Sequence, residues 1–448
     1  QKNGKGEVRE TPRECFKRVA DAVARADKEE DEQEWAEKFV QVMENLEFLP
    51  GGRTLANAGG PAGQLANCFV LPMEDNIEEM FESIKDSAIL KKHGGGVGFS
   101  FSKIRPKGDF TRTASGACGP VALMRVLDSA SEILLQDGGR RSGNMVVLSC
   151  SHPDILEFIT CKEQDHLLPQ INFSLSVTNR FMEAVLQDKN WDLINPRTGL
   201  TTQTVRARSI FELASTYAWR GGDPGMIFLD RINRDNPTPH LGRIEAVNLC
   251  GEQPLLPYEA CNLGSLNLSK FVNPAKRGPE LDWKHLEEVI RVAVRFLDDV
   301  IDVCRYPLAQ VDRMVKGNRK IGLGVMGWAN VLVKLGILYN SDEALRLVNR
   351  VMKFINEVSH DESQKLGREK GSFPNFEGSR WRRRGFKTMR NATTTTIAPT
   401  GSISMVAGVS SGIEPLFALS YFKEVFGGVR LPEINEDLMI ALAKLKIK

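Results

Sequence analysis

The sequence predicts an α/β fold with mostly parallel strands, preceded by a small helical region. Hydrophobic residues make up 42% of the 448 residues, enough for a sizeable core. From Leu49 onward, short apolar runs lie between glycine-rich turns, as in GGRTLANAGG, NCFVLPM and HGGGVGFSFSKIRP. Helical patterns alternate with those runs, as expected when helices connect parallel strands.

Residues 1–48 read as a helical region. Thr11, Pro12 and Glu14 form a helix start, and Phe16, Val19, Ala20 and Val23 follow at helical spacing. A second amphipathic stretch carries Trp35, Phe39, Val40, Val42 and Met43. In the main body, residues 49–448, helices are expected over Ile77–Lys91 and Pro120–Leu135. Strands are expected over Val97–Phe101, Met145–Leu148, Ile171–Val177 and Ile321–Val325. Asp282 can cap a helix whose apolar stripe runs from Leu286 to Ile301, and Ser341 can cap another that ends near Gly371. These stripes read as core faces. The basic run Arg380–Arg384 reads as a solvated loop.

The net charge is +2, which points neither to a nucleic-acid-coating protein nor to a polybasic membrane anchor. No apolar run approaches the roughly 18 residues needed to span a bilayer. The opening QKNGKGEVRETPRE lacks the apolar core of a signal peptide, so a cytoplasmic location is expected. The eight cysteines are scattered and include no C-x-x-C pair. Neither a secreted disulfide framework nor a structural zinc ribbon is therefore expected.

Three stretches carry chemistry. In VNLCGEQPLLPYEACNLGSLNL, Asn248, Cys250 and Glu252 are spaced by two. An extended segment would put their amide, thiol and carboxylate on one face. Pro254 and Pro257 permit a turn that could return Cys261 toward Cys250. The competing reading is a buried structural cysteine beside surface polar residues. In NATTTTIAPTGSISMVAGVSSGIEP, a strand over Ala392–Ala398 would lead through Pro399, Thr400, Gly401 and Ser402 into a helix, a geometry that suits a phosphate. No lysine follows the glycine, so it is not a Walker A loop, and a plain strand-to-helix connection is the alternative. The glycines of His93–Phe99 let backbone approach a ligand, or simply make a tight turn. No G-x-G-x-x-G opens a βαβ unit.

Together these stretches resemble the large, catalytic subunit family of ribonucleotide reductases. The matching segments run in family order from about Leu49 to Phe417. They include GGRTLANAG, QLANCFVLPMEDNI, HGGGVGFSFSKIRPKGD, HPDILEFI, INFSLSVTNRFM, NLCGEQPLLPYEACNLGS, IGLGVMGWA and APTGSIS. The wording of HGGGVGFSFSKIRPKGD and CGEQPLLPYEACNLGS is most similar to the adenosylcobalamin-dependent class.

The resemblance implies a ten-stranded α/β barrel, with a finger loop near residues 247–262. It implies that Cys250 becomes a thiyl radical, Glu252 acts as general base, Asn248 binds substrate, and Cys68 and Cys261 form the redox pair that ends as a disulfide. It implies substrate contacts at Gly52, Asn67, Gly95 and the phosphate loop Pro399, Thr400, Gly401, Ser402 and Ile403. Asp75, Asn76, Ile77, Arg105 and Arg112 match positions that hold a deoxynucleoside triphosphate effector. The implied substrate is a ribonucleoside di- or triphosphate and the implied cofactor adenosylcobalamin, although no D-x-H-x-x-G motif occurs. A homodimer is expected, with an external dithiol or redoxin as reductant.

The sequence departs from the family pattern in three places. Leu249 replaces the usual proline, FTRTASGACG is short, and the sequence ends soon after GIEPLFALSYFKEVFGG. The C-terminal part of the barrel and its cysteine pair are therefore expected to be missing. The alternatives are a large subunit needing an iron radical partner, a glycyl radical enzyme, and an inactive truncated nucleotide-binding paralogue.

Overall fold

The computed structural model describes all residues except 1–8, 111–115, 137–139, 142, 164–166, 276–277, 419, 426–428, 435 and 445–448. Arg112 lies outside the described residues. The chain divides into two compact units. One comprises residues 1–67, 261–306 and 312–448, and the other residues 68–260 and 307–311.

The first unit opens with helices α1 (Pro12–Ala24) and α2 (Glu29–Glu44). A reciprocal cap starts α1: the Thr11 hydroxyl accepts from Glu14 N at 3.3 Å, and the Glu14 carboxylate accepts from Thr11 N at 2.7 Å. Strand β1 (Phe48–Pro50) follows.

The second unit holds strands β2 (Cys68–Val70), β3 (Gly96–Ser100), β4 (Asn144–Ser149), β5 (Ile171–Val177) and β6 (Gly225–Phe228). They pair in parallel and in sequence order. Helix α3 (Ile77–Lys92) crosses from β2 to β3, and α4 (Gly119–Glu132) lies between β3 and β4. Asn76 caps α3 by accepting from Glu79 N at 2.9 Å. Six of the seven residues of β5 are buried, as expected for a strand covered on both faces.

The chain returns to the first unit with β7 (Ala260–Asn267), α5 (Trp283–Val303), β8 (Ile321–Met326) and α6 (Asp342–Glu369). In that unit β1 is antiparallel to β7 and β7 parallel to β8. The stripe of α5 is core, and Phe296 packs edge-on against Phe39 and Phe48 at 5.0 and 5.5 Å. Asp282 and Ser341 cap α5 and α6 as expected. Among the described residues, no helix is long and apolar enough to cross a membrane.

Two local expectations fail. Arg380–Arg383 is a short helix, because Trp381 turns inward among Phe373, Phe376 and Met389 and donates to Ala392 O at 2.8 Å. Residues 392–398 form no regular strand. They run beside β8 through one bridge, Leu323 to Thr395, with Thr393 O and Thr394 O accepting from Ile321 N and Leu323 N. Cys304 lies just past the end of α5 and accepts from Leu65 N.

Buried charge ties α5 to the chain around α6. Asp298 is fully buried and accepts from Arg319 and Arg390, each at 2.9 Å, and from Asn391 at 2.8 Å. Lys370 bridges Asp27 and Asp299, both at 2.6 Å. Oxygens of Asp298, Asp299 and Asp302 lie within 4.8 Å of one another, but these cations already neutralise the group. Burial works against ionising Asp298, yet the two guanidinium groups hold its carboxyl below the usual range. Asp298→Ala would remove the buried carboxylate shared by Arg319 and Arg390 and leave both guanidinium groups to the half-exposed Asp302, so stability should fall by about 3 kcal/mol. A denaturant midpoint equal to that of the parent would contradict this.

Candidate active site

The second unit presents a hairpin whose arms, Ala246–Val247 and Pro254–Leu255, pair antiparallel. Residues 248–253 form its loop. Asn248 N donates to Gln253 O at 3.0 Å, and Gln253 N donates to the Asn248 side-chain oxygen at 2.9 Å. The loop is therefore a closed turn and not an extended segment. Asn248, Cys250 and Glu252 do not share one strand face: Asn248 is buried, Glu252 half-buried and Cys250 exposed. Gly251 takes φ +85° after the cysteine, a conformation open to glycine.

The turn still gathers polar groups around a thiol. Asn248 Nδ2 donates to Cys68 Sγ at 3.0 Å, and Cys68 Sγ donates to Glu252 Oε1 at 3.7 Å. Cys68 starts β2 in register with Gly96 of β3. A buried amide and a carboxylate thus orient one thiol, and the carboxylate is placed to receive its proton.

Glycines let the loop seat closely. A Cβ on Gly98 would lie 1.7 Å from Val247 O. The Leu249 side chain fills a slot between Gly96 and Gly143, where added Cβ atoms would lie 2.9 and 2.8 Å from it. Asn172 Nδ2 donates to Leu249 O at 3.3 Å. Gly143 and Asn172 were not among the sequence candidates, whereas Gly98 falls in the glycine-rich run His93–Phe99 and Leu249 stood out as a departure from the family pattern. The visible signal was G-V-G at 96–98, two glycines on one face of a strand.

Cys250 borders a pocket of about 570 Å³ lined by Asn172, Ser174, Gly222, Asp223 and Met226, among others. Two other thiols of this unit are poorly suited to reaction. Burial pushes Cys150 and Cys161 up to about 12.

Gly95 belongs to this unit and packs on Phe69, whose ring would lie 2.5 Å from an added Cβ. One turn earlier, Lys91 is buried and donates to Ser131 Oγ at 2.7 Å and to the Asn144 side-chain oxygen. Burial lowers its pKa to about 7, although Asp128 acts in the opposite direction. The unfolded chain therefore binds one more proton than the folded one between pH 7 and 10.5. Lys91 should make stability rise with pH across that window, by at most about 1.4 kcal/mol per pH unit. Lys91→Met should flatten the profile there. An identical slope in denaturation at several pH values would refute it.

Asp75, Asn76, Ile77 and Arg105 also come together. Arg105 Nε donates to the Asp75 carboxylate at 2.8 Å, Arg105 N donates to it at 3.1 Å, and Nη1 donates to Phe110 O at 3.1 Å. The arginine thereby ties the turn that starts α3 to the loop after β3. Ile77, the first residue of α3, is exposed.

The first unit holds the remaining candidates. Cys261 is buried on β7. Gly52 lies beside Ser402, 3.8 Å from the position of an added Cβ to Ser402 Cβ. Asn67 packs at Gly51, and its buried side-chain oxygen has no hydrogen-bond partner among the described residues. Pro399, Gly401 and Ser402 are exposed, and Ile403 starts a short helix, Ile403–Ala407. Thr400 holds φ +52°, and its Oγ1 accepts from Gly412 N at 2.8 Å. The expected turn into a helix is present.

Two family models match the chain. "Ribonucleotide reductase, barrel domain" covers residues 66–389 and 386–448, and "Ribonucleotide reductase, all-alpha domain" covers residues 1–63. The chain is 50% identical over 400 residues to a vitamin B12-dependent ribonucleoside-diphosphate reductase of Thermoplasma acidophilum, covering 89% of this chain and 52% of that protein. It is 46% identical over 435 residues to a protein of the same description from Mycobacterium tuberculosis, covering 96% and 62%. It is 29% identical over 511 residues to a ribonucleoside-diphosphate reductase subunit alpha of Treponema pallidum, covering 96% and 59%. The chain thus spans between half and two thirds of the length of these relatives.

Proposed function

This chain belongs to the ribonucleotide reductase family, and on that premise we propose that it reduces ribonucleoside diphosphates to 2′-deoxyribonucleoside diphosphates, for DNA precursor synthesis, by thiyl-radical chemistry with adenosylcobalamin. The observation that carries the reading is the turn that exposes Cys250 while Asn248 and Glu252 both engage the Cys68 thiol. The diphosphate form and the cofactor follow the descriptions of the two most similar relatives above.

Cys250 removes the ribose 3′ hydrogen and later returns it, so it is not consumed. Glu252 takes the 3′-hydroxyl proton, and Asn248 holds the substrate hydroxyls while orienting Cys68. The 2′-hydroxyl leaves as water. Cys68 and Cys261 supply two electrons and two protons and end as a disulfide, so one dithiol is oxidised for each ribonucleotide reduced. Gly52, Asn67, Gly95 and the loop Pro399–Ile403 hold the substrate. The side-chain oxygen of Asn67 suits a ribose hydroxyl.

The pocket beside Cys250 fits a bulky cofactor's reactive end. Its floor is rich in glycine, and Asn172, Ser174 and Asp223 offer polar contacts. Bound there, adenosylcobalamin supplies the one-electron oxidant that the cysteine needs. The turn Asp75–Ile77 with Arg105 would hold a deoxynucleoside triphosphate effector, Arg112 contributing a second cation. We place the protein in the cytoplasm as a homodimer, with an external dithiol or redoxin as reductant.

The test is turnover of a ribonucleoside diphosphate with a small dithiol, with and without adenosylcobalamin. Product should form only with the cofactor. Product that forms without it, and only on adding an iron radical protein, would reverse the cofactor assignment.

A further inference from the structure

The basic run near residue 384 lines a groove that the reductase reading does not use. The last turns of α6 present Gln364 and Arg368, four residues apart and on one face. After the short helix, Arg384, Gly385, Phe386, Lys387 and Thr388 run back along α6. Gly385 turns the chain at φ +88°. Thr388 Oγ1 donates to Gln364 O at 3.2 Å, and Arg390 N donates to Ser363 O at 3.0 Å. Gly367 permits the close approach, since a Cβ there would lie 3.0 Å from Met389 N. The two walls enclose about 570 Å³, a volume suited to a small ligand.

Arg368, Arg384 and Lys387 all line this groove, and no carboxylate does. Among the described residues, none of the three has a carboxylate within ion-pair distance. Nearby arginines differ: Arg382 pairs with Glu377 at 3.2 Å, Arg390 with Asp298 at 2.9 Å and Arg291 with Glu287 at 2.7 Å. Three convergent cations in a concavity repel one another and concentrate field on whatever anion enters. Two of them are guanidinium groups, whose forked donors match phosphate oxygens. Phe386 adds a half-buried ring, held edge-on against Trp381 at 5.0 Å. The uncompensated charge is felt nearby: burial, reinforced by Arg384, depresses His360 to about 4.

We propose that this groove binds a small polyphosphate anion, with a nucleoside triphosphate the form that uses both the three cations and the Phe386 ring. A single carboxylate or phosphate would leave at least one cation uncompensated. The assignment is independent of the chemistry proposed for Cys250.

The test is photolabelling of the whole protein with 8-azido-ATP, followed by peptide mapping. Saturable label is expected on the peptide containing residues 384–388. The double variant Arg384→Glu with Lys387→Glu should label about tenfold less, because it replaces two charged contacts with repulsion. Arg13→Glu with Lys17→Glu makes the same change in net charge at another exposed site and should label like the parent. Arg368→Gln should give an intermediate loss. Competition by ATP but not by inorganic tripolyphosphate would support the proposal and show that the nucleoside is read. Competition by both would support it with the phosphate chain sufficient. Absence of saturable label on this peptide, or equal labelling in both double variants, would overturn it.

Discussion

Cys250→Ala is expected to reduce turnover by at least about a thousandfold while leaving the unfolding midpoint and nucleotide binding unchanged. The side chain is exposed at the tip of a turn, and the hydrogen bonds of that turn belong to Asn248 and Gln253. Removing one exposed sulfur should change stability by no more than about 0.5 kcal/mol. The chemical loss is large because no neighbouring group can replace the sulfur. Cys150 is buried and Cys161 half-buried, and desolvation holds both as thiols, while Cys68 is committed to Asn248 and Glu252. Cys250→Ser should be equally inactive, since an O–H bond is too strong to exchange hydrogen with a ribose carbon. The check is deoxynucleotide formation measured by chromatography, beside a binding titration. Turnover within tenfold of the parent in either variant would remove Cys250 from the mechanism.

Gly98→Ala should be the most damaging small substitution in this unit. The added methyl would sit 1.7 Å from Val247 O, which is backbone and cannot rotate away. Either β3 or the base of the hairpin must move. A cost of about 4 kcal/mol is expected, at the upper end for single substitutions. If the hairpin yields instead, Asn248 shifts away from Cys68 and turnover falls while stability is partly preserved. Thermal unfolding and turnover measured together separate the two responses. A variant with parental values for both would show that the close approach is unimportant. Gly221→Ala is a useful contrast for stability, because Gly221 holds no positive φ and an added Cβ there meets nothing within 4 Å.

Much of this architecture was legible in the sequence because it rests on local rules. The Thr11 helix start, the Asp282 and Ser341 caps and the apolar run Ile171–Val177 are written in adjacent residues. What failed depends on distant partners. Spacing by two suggested that Asn248, Cys250 and Glu252 share a face. The turn instead closes on itself through Asn248 and Gln253, and its side chains are sorted by what Cys68, Gly96 and Gly143 offer. Arg380–Arg384 looked solvated because four of its five residues are arginine, yet the single tryptophan decided the local fold by packing inward. The run Ala392–Ala398 has strand composition, but only its contact with β8 is strand-like. Nothing local marks Lys91, the last residue of the expected helix, as buried; its burial follows from Ser131 and Asn144, both remote in sequence.

The central claim is that Cys250 cycles unconsumed while Cys68 and Cys261 are oxidised together. The most direct measurement is a reaction with ribonucleoside diphosphate and adenosylcobalamin in the absence of any external reductant, followed by alkylation and peptide mapping. The account predicts a disulfide peptide joining Cys68 to Cys261, in amount equal to the deoxynucleotide formed, with Cys250 still alkylated as a free thiol. Deoxynucleotide formed while Cys68 and Cys261 both remain alkylatable would contradict it.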